Sequence, residues 1–116
     1  MAFGEYIRKK RLELYASDPR YSVRQVAGRI NVQPSYLSKV EREEVAPPGE
    51  DTTRRLAENI GEDPDVLLAL AGKVSSDLRD VIRKRPALFA QLIRELKDMP
   101  DHAILRVVRE VRDGNW

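Results

Sequence analysis

Apolar residues recur at spacings of three and four along most of the chain, and the alternation that marks β-strands is rare. The pattern predicts an all-α protein. We expect the first helix to run from about Phe3 to Ala16 and to end at the dipeptide Asp18-Pro19. Its buried side should carry Phe3, Ile7 and Leu14, with Tyr6 or Leu12 beside them, and its outer side Arg8, Lys9 and Lys10.

Between Ser22 and Arg42, a short helix, a tight turn and a second helix follow one another almost without a linker. Ser22 is expected to cap the first of these helices, and Gln25, three residues later, completes a capping box. Asn31 suits a left-handed turn, and Pro34 suits the first position of the next helix, where an N–H has no helical partner. Ala27 is small enough for the helices to cross there, and the inward apolar positions are Val26, Ile30, Val32, Leu37 and Val40.

The stretch EEVAPPGED, Glu43 to Asp51, predicts a loop because it contains two prolines and a glycine. A fourth helix is expected from about Thr52 to Ile60, ended by Gly61. Asp63-Pro64 then starts a fifth helix that ends at Gly72. We therefore expect residues 1–72 to form one domain.

Residues 73–116 contain three more amphipathic segments, with breaks at Pro86 and Pro100 that put a proline at a helix start. A segment of about 40 residues makes a poor core by itself, so we expect it to pair with a second copy or to bind a partner protein. Trp116, the single tryptophan, would be an efficient anchor in such an interface. The expected interface residues are Leu88, Phe89, Leu92, Ile93, Leu96, Leu105, Val108 and Trp116.

Charge is distributed unevenly, although the net charge is only +2. Residues 1–42 carry nine Lys or Arg against four Asp or Glu, net +5, whereas residues 43–116 carry twelve against fifteen, net −3. A basic N-terminal part favours a nucleic-acid partner, because contacts to phosphates release counterions. Taken alone, the charge is explained as well by a solvated surface.

Composition argues against several classes of protein. The chain has no cysteine, which excludes a disulfide framework and a cysteine-based zinc module, and His102 is its single histidine, so we expect no metal and no cofactor. No nucleophile, phosphate-binding loop or cofactor motif is present, and we expect no enzymatic activity. No apolar run approaches the ~18 residues of a membrane span, so we expect a cytoplasmic protein without a membrane partner.

The segment SVRQVAGRINVQPSYLSKVER resembles the helix-turn-helix of the Cro/CI-type repressors, the XRE family, and its part PSYLSKVER is similar to the SinR subgroup. The resemblance covers Phe3 to about Gly72. It implies a five-helix lambda-repressor-like domain that binds double-stranded DNA as a dimer, with its third helix in the major groove. It further implies base contacts from Gln33, Pro34, Ser35, Ser38 and Lys39. Among these, Lys39 can donate to guanine and Gln33 can pair with adenine.

The resemblance also implies contacts that hold the DNA backbone and a contact that holds the fold. Phosphate contacts are implied for Arg8, Lys10, Ser22, Val23, Arg24, Tyr36 and Arg42, although Tyr36 is as well suited to packing. Arg11 and Glu41 are implied to form a buried structural ion pair. The acidic loop after Arg42 should repel DNA locally.

The sequence therefore predicts a sequence-specific transcriptional regulator, a repressor that binds an inverted-repeat operator as a homodimer. One alternative is an antitoxin-like or adaptor protein, whose C-terminal helices bind a partner while DNA binding serves autoregulation. Another is a protein scaffold that makes no contact with DNA.

Overall fold

A computed structural model describes residues 1–114, and within them the regular secondary structure is entirely helical. The predicted all-α class is confirmed for this part of the chain. The helices are α1 (Phe3–Tyr15), α2 (Val23–Arg29), α3 (Pro34–Glu41), α4 (Glu50–Ile60), α5 (Pro64–Leu70), α6 (Ser76–Lys84), α7 (Pro86–Leu96) and α8 (Asp101–Arg112), and a 3-10 turn spans Pro19–Tyr21. The chain divides into two compact units, Met1–Ser76 and a second that begins at Asp77.

Helices α2, α3, α5 and α7 start where a capping side chain or a first-turn proline indicates. The Ser22 hydroxyl accepts a hydrogen bond from the Gln25 N–H (3.2 Å), and Pro34 is the first residue of α3. Helix α4 differs, because it begins at Glu50 rather than near Thr52. Gly49 already supplies the extended residue before the helix, and the acidic side chains of the first turn lie at the positive end of the helix dipole.

Four helices of the first unit end on a residue with left-handed backbone conformation. These residues are Asn31, Glu43, Gly61 and Gly72, with φ between 62° and 75°. In each case the N–H of the next residue donates to the carbonyl five residues before it, at 2.8–3.0 Å. Glycine and asparagine tolerate this conformation, so Glu43 is the departure.

The core of the first unit lies where its five helices meet. Its buried members are Phe3, Ile7, Val26, Ala27, Ile30, Leu37, Val40, Leu56, Ala57, Ile60 and Leu67. Of the two alternatives on α1, Tyr6 packs against this core and Leu12 is 42% exposed. Gly4 lets α1 pass close to the end of α3, since a Cβ there would overlap the carbonyl oxygen of Val40.

Helices α6, α7 and α8 contain no buried residue. Of the expected interface residues, Phe89 and Leu96 are half-buried, whereas the exposed ones are Leu88, Leu92, Ile93, Leu105 and Val108. Trp116 lies outside the described residues. None of the helices in residues 1–114 has the length and apolar content needed to cross a bilayer.

Candidate nucleic-acid interface

The turn between α2 and α3 fixes how the second helix leaves the first. Asn31 has φ 62°, and the Val32 N–H donates to the Ala27 carbonyl at 3.0 Å, which satisfies the end of α2. Gln33 is the residue before α3 and Pro34 its first residue, so the turn occupies only a few positions. Ala27, at the point where α3 follows, is completely buried.

Helix α3 has one buried face and one accessible face. Leu37 and Val40 are 1% and 2% exposed and lie in the core. The accessible face follows the spacing i, i+3, i+4, i+7, which forms one stripe on a helix. Its members are Ser35, Ser38, Lys39 and Arg42; Ser38 is half-buried and the other three are exposed. Gln33 and Pro34 are exposed at the helix start.

A surface depression of about 230 Å³ brings residues of three helices together. Arg8 of α1, Val23 of α2 and Ser38 of α3 line it, together with Arg42, the residue after α3. Arg11 and Glu41 complete the lining. The structure thus gathers three of the expected phosphate contacts and one expected base contact around one concavity.

The Arg11–Glu41 pair lies against this concavity and joins α1 to α3. The guanidinium donates two hydrogen bonds to the carboxylate, Nε to Oε2 at 2.7 Å and Nη2 to Oε1 at 2.8 Å. A third donor, Nη1, reaches the Tyr21 carbonyl at 3.1 Å. Both side chains are buried, so the bidentate geometry holds the two helices in a fixed orientation.

Free cations on this surface are fewer than the sequence suggests. Within residues 1–114, Arg8, Arg24 and Lys39 are exposed and have no ion-pair partner. The Lys10 ammonium instead lies 3.6 Å from the Glu62 carboxylate, beside the turn between α4 and α5. Lys10 is therefore not part of the group around the depression.

Tyr36 is half-buried and packs against the core. The structure therefore contains the packing role of Tyr36. Ser22 caps α2, as described above, and its side chain is engaged by the Gln25 N–H.

The carboxylate of Glu44 is the feature of this surface that sequence reasoning did not single out. The Arg42 guanidinium lies 3.0 Å from it, and this hydrogen bond lowers the pKa of Glu44 below its ordinary value, with a further contribution from the positive charge of Lys39. The sequence offers one signal, an acidic residue two positions after a helix-terminal arginine. That signal is common at solvated surfaces and does not identify a pair.

Other chemistry is sparse in the described residues. His102 is exposed at the second position of α8, and no cluster of three or more His, Asp or Glu within residues 1–114 has the arrangement of a metal site. Comparison of the chain with protein-family models, with curated proteins and with solved structures finds no match.

Proposed function

We propose that the chain is a sequence-specific double-stranded DNA-binding transcriptional regulator, a Cro/CI-type repressor whose first unit is a lambda-repressor-like domain. In this proposal α3 enters the major groove. The side chains of Gln33, Ser35 and Lys39 then face base edges, where lysine and glutamine can pair with guanine and adenine.

One observation carries the proposal, namely the concavity that joins α1, α2 and α3. Arg8 of α1 lines it together with Ser38 and with Arg42, the last member of the accessible stripe of α3, so cations lie beside the polar side chains. Contacts to phosphates position a protein on the duplex, and contacts to base edges confer sequence preference. A cationic rim beside an accessible polar stripe offers both.

The proposal extends to a homodimer on an inverted repeat, with two copies of α3 about 34 Å apart in successive major grooves. The exposed apolar stripes of the second unit support self-association, because an interface would remove these side chains from water. Repression would follow from occupation of promoter DNA.

The same stripes also favour a second candidate, an adaptor or antitoxin-like protein that holds another protein with its C-terminal helices. Co-expression with the product of the adjacent reading frame distinguishes the two. A stable complex of unlike chains supports the adaptor, and a pair of identical chains supports the repressor.

The test of DNA reading compares Lys39→Ala with Arg8→Ala in gel-shift titrations. The probes are the DNA upstream of the protein's own gene and a random duplex, each over a range of salt concentrations. Lys39→Ala should cost about 1–3 kcal/mol on the upstream DNA and much less on random DNA, whereas Arg8→Ala should weaken both about equally and reduce the salt slope. Arg55→Ala, an exposed arginine on α4, is the charge-matched control. Equal losses on both probes for Lys39→Ala would contradict its reading role.

A further inference from the structure

Glu44 forms an ion pair with Arg42, one of the cations that line the candidate interface. Arg42 lines the concavity with Arg8 and Ser38, and its Nη2 lies 3.0 Å from Glu44 Oε2. Both side chains are about half exposed, at 55% and 52%. An exposed pair of this kind is weak, so another anion can replace the carboxylate.

The backbone holds Glu44 in this position. Glu43 adopts φ 63°, its N–H donates to the Val40 carbonyl at 3.1 Å, and the Glu44 N–H donates to the Lys39 carbonyl at 2.9 Å. These hydrogen bonds close the end of α3 and keep Glu44 beside the last helical turn. The nearness of Glu44 to Arg42 therefore follows from helix termination and not only from side-chain attraction.

The neighbouring carboxylate has different surroundings. Glu43 lines a separate groove of about 360 Å³, together with Phe3, Gly4 and Val45. No ion pair joins Glu43 to Arg42 within residues 1–114. The chain thus places two glutamates side by side, of which only Glu44 engages the cation at the concavity.

We propose that Glu44 is an internal competitor for DNA phosphate, which occupies Arg42 in the free protein and must be displaced when Arg42 contacts the backbone. This inference rests on the proposed function. A guanidinium donates to a carboxylate or to a phosphate through the same N–H groups, and Nη2 of Arg42 already donates to Glu44, so a phosphate that binds this donor competes with the carboxylate. Once displaced, Glu44 remains beside the DNA and repels its phosphates. Because the contact is to the backbone, the penalty falls on every sequence alike.

Glu44→Gln, with Glu43→Gln as its matched control, tests the inference. The two variants remove the same charge one residue apart. Glu44→Gln should tighten binding about three- to tenfold on the upstream DNA and on a random duplex alike. It should also steepen the slope of log K against log [salt] by about 0.9 for each phosphate contact that Arg42 makes. Glu43→Gln should give a clearly smaller gain.

A double-mutant cycle separates the pair from general charge effects. In an Arg42→Gln background, Glu44→Gln should lose most of its gain, because no cation remains to be released. Equal gains from Glu43→Gln and Glu44→Gln, or a gain that is undiminished without Arg42, would overturn the inference while leaving the proposed function intact.

Two other outcomes are distinct from these. If Glu44→Gln weakens binding or alters base preference, Glu44 contacts a base, for instance a cytosine amino group, and is not a competitor. If the unmodified protein shows no salt-sensitive binding to either duplex, the proposed function fails and the inference fails with it.

Discussion

Replacing Glu43 with glycine should stabilise the protein, because Glu43 holds a backbone conformation that disfavours side chains. It has φ 63° at the end of α3, while α4 and α5 end on Gly61 and Gly72 with φ 73° and 75°. The hydrogen bonds that close the helix involve only main-chain atoms, so glycine preserves them. The substitution therefore removes strain without removing a helix cap.

The magnitude follows from four contributions, two favourable and two unfavourable. A residue with a Cβ in the left-handed region is disfavoured by about 1–2 kcal/mol, and glycine loses about 0.5–1 kcal/mol more than other residues on ordering. Removal of a negative charge from the C-terminal end of a helix adds a few tenths of a kcal/mol. Loss of the Glu43 methylenes that lie over Gly4 subtracts a similar amount. We expect a net gain of about 0.5–1 kcal/mol in the free energy of unfolding.

Urea denaturation followed by circular dichroism measures this gain as a higher midpoint at an unchanged m-value. Glu43→Gln isolates the charge, and Gly61→Ala, which puts a Cβ at φ 73°, should cost about 1–2 kcal/mol. If Glu43→Gly gains no more than Glu43→Gln, the strain argument is refuted.

Three further predictions concern an ion pair and a hydrogen bond within the first unit and the exposed apolar surface of the second. Arg11→Met or Glu41→Leu alone should lower the free energy of unfolding by about 3–5 kcal/mol, since each leaves a buried charge without its partner. The double variant should lower it by only about 1–3 kcal/mol, because the Tyr21 carbonyl loses its donor. Additive losses in urea denaturation would show that the pair is not coupled. The hydrogen bond from Tyr6 lowers the pKa of Glu62, so its stabilisation is present above the usual glutamate pKa and is lost as the pH falls through the lower folded value. Glu62→Gln should therefore destabilise more at pH 7 than at pH 3, and equal losses at both would count against this linkage. In the proposed dimer, Leu105→Asp, at a site 50% exposed on α8, should halve the mass measured by sedimentation, and the equally exposed Val66→Asp on α5 should not. A dimeric mass retained by Leu105→Asp would remove α8 from the interface.

Local chemistry accounts for the parts of the fold that the sequence predicts well. The cap at Ser22, the left-handed Asn31 and the first-turn Pro34 each act within a few residues, so the pattern alone indicates α2, the turn and α3. Helix α4 starts two residues before the predicted Thr52. The residues before it form a proline-rich stretch that predicts a loop, so the extended Gly49 does not stand out as the residue before a helix.

Contacts between distant segments explain what the sequence could not predict. The need for glycine at position 4 arises only when α1 meets the carbonyl of Val40, and the pairing of Tyr6 with Glu62 joins residues 56 positions apart. Neither leaves a periodic signal. The same holds for Lys10, whose place on the outer side of α1 suggests a free cation, while the fold directs it to Glu62.

In the proposed function, the division of these cations into free and paired ones bears on how a protein with a net charge of only +2 would bind DNA selectively. Arg8, Arg24 and Lys39 are unpaired within residues 1–114, whereas Arg42 is held by Glu44 and Lys10 by Glu62. Binding to any sequence depends on the phosphate contacts, and those contacts dominate on random DNA. Restraining two of five cations therefore lowers affinity for random DNA by the same factor as for the operator. The ratio of the two affinities is unchanged, so discrimination against the excess of competing sites rests on the base contacts of α3 alone.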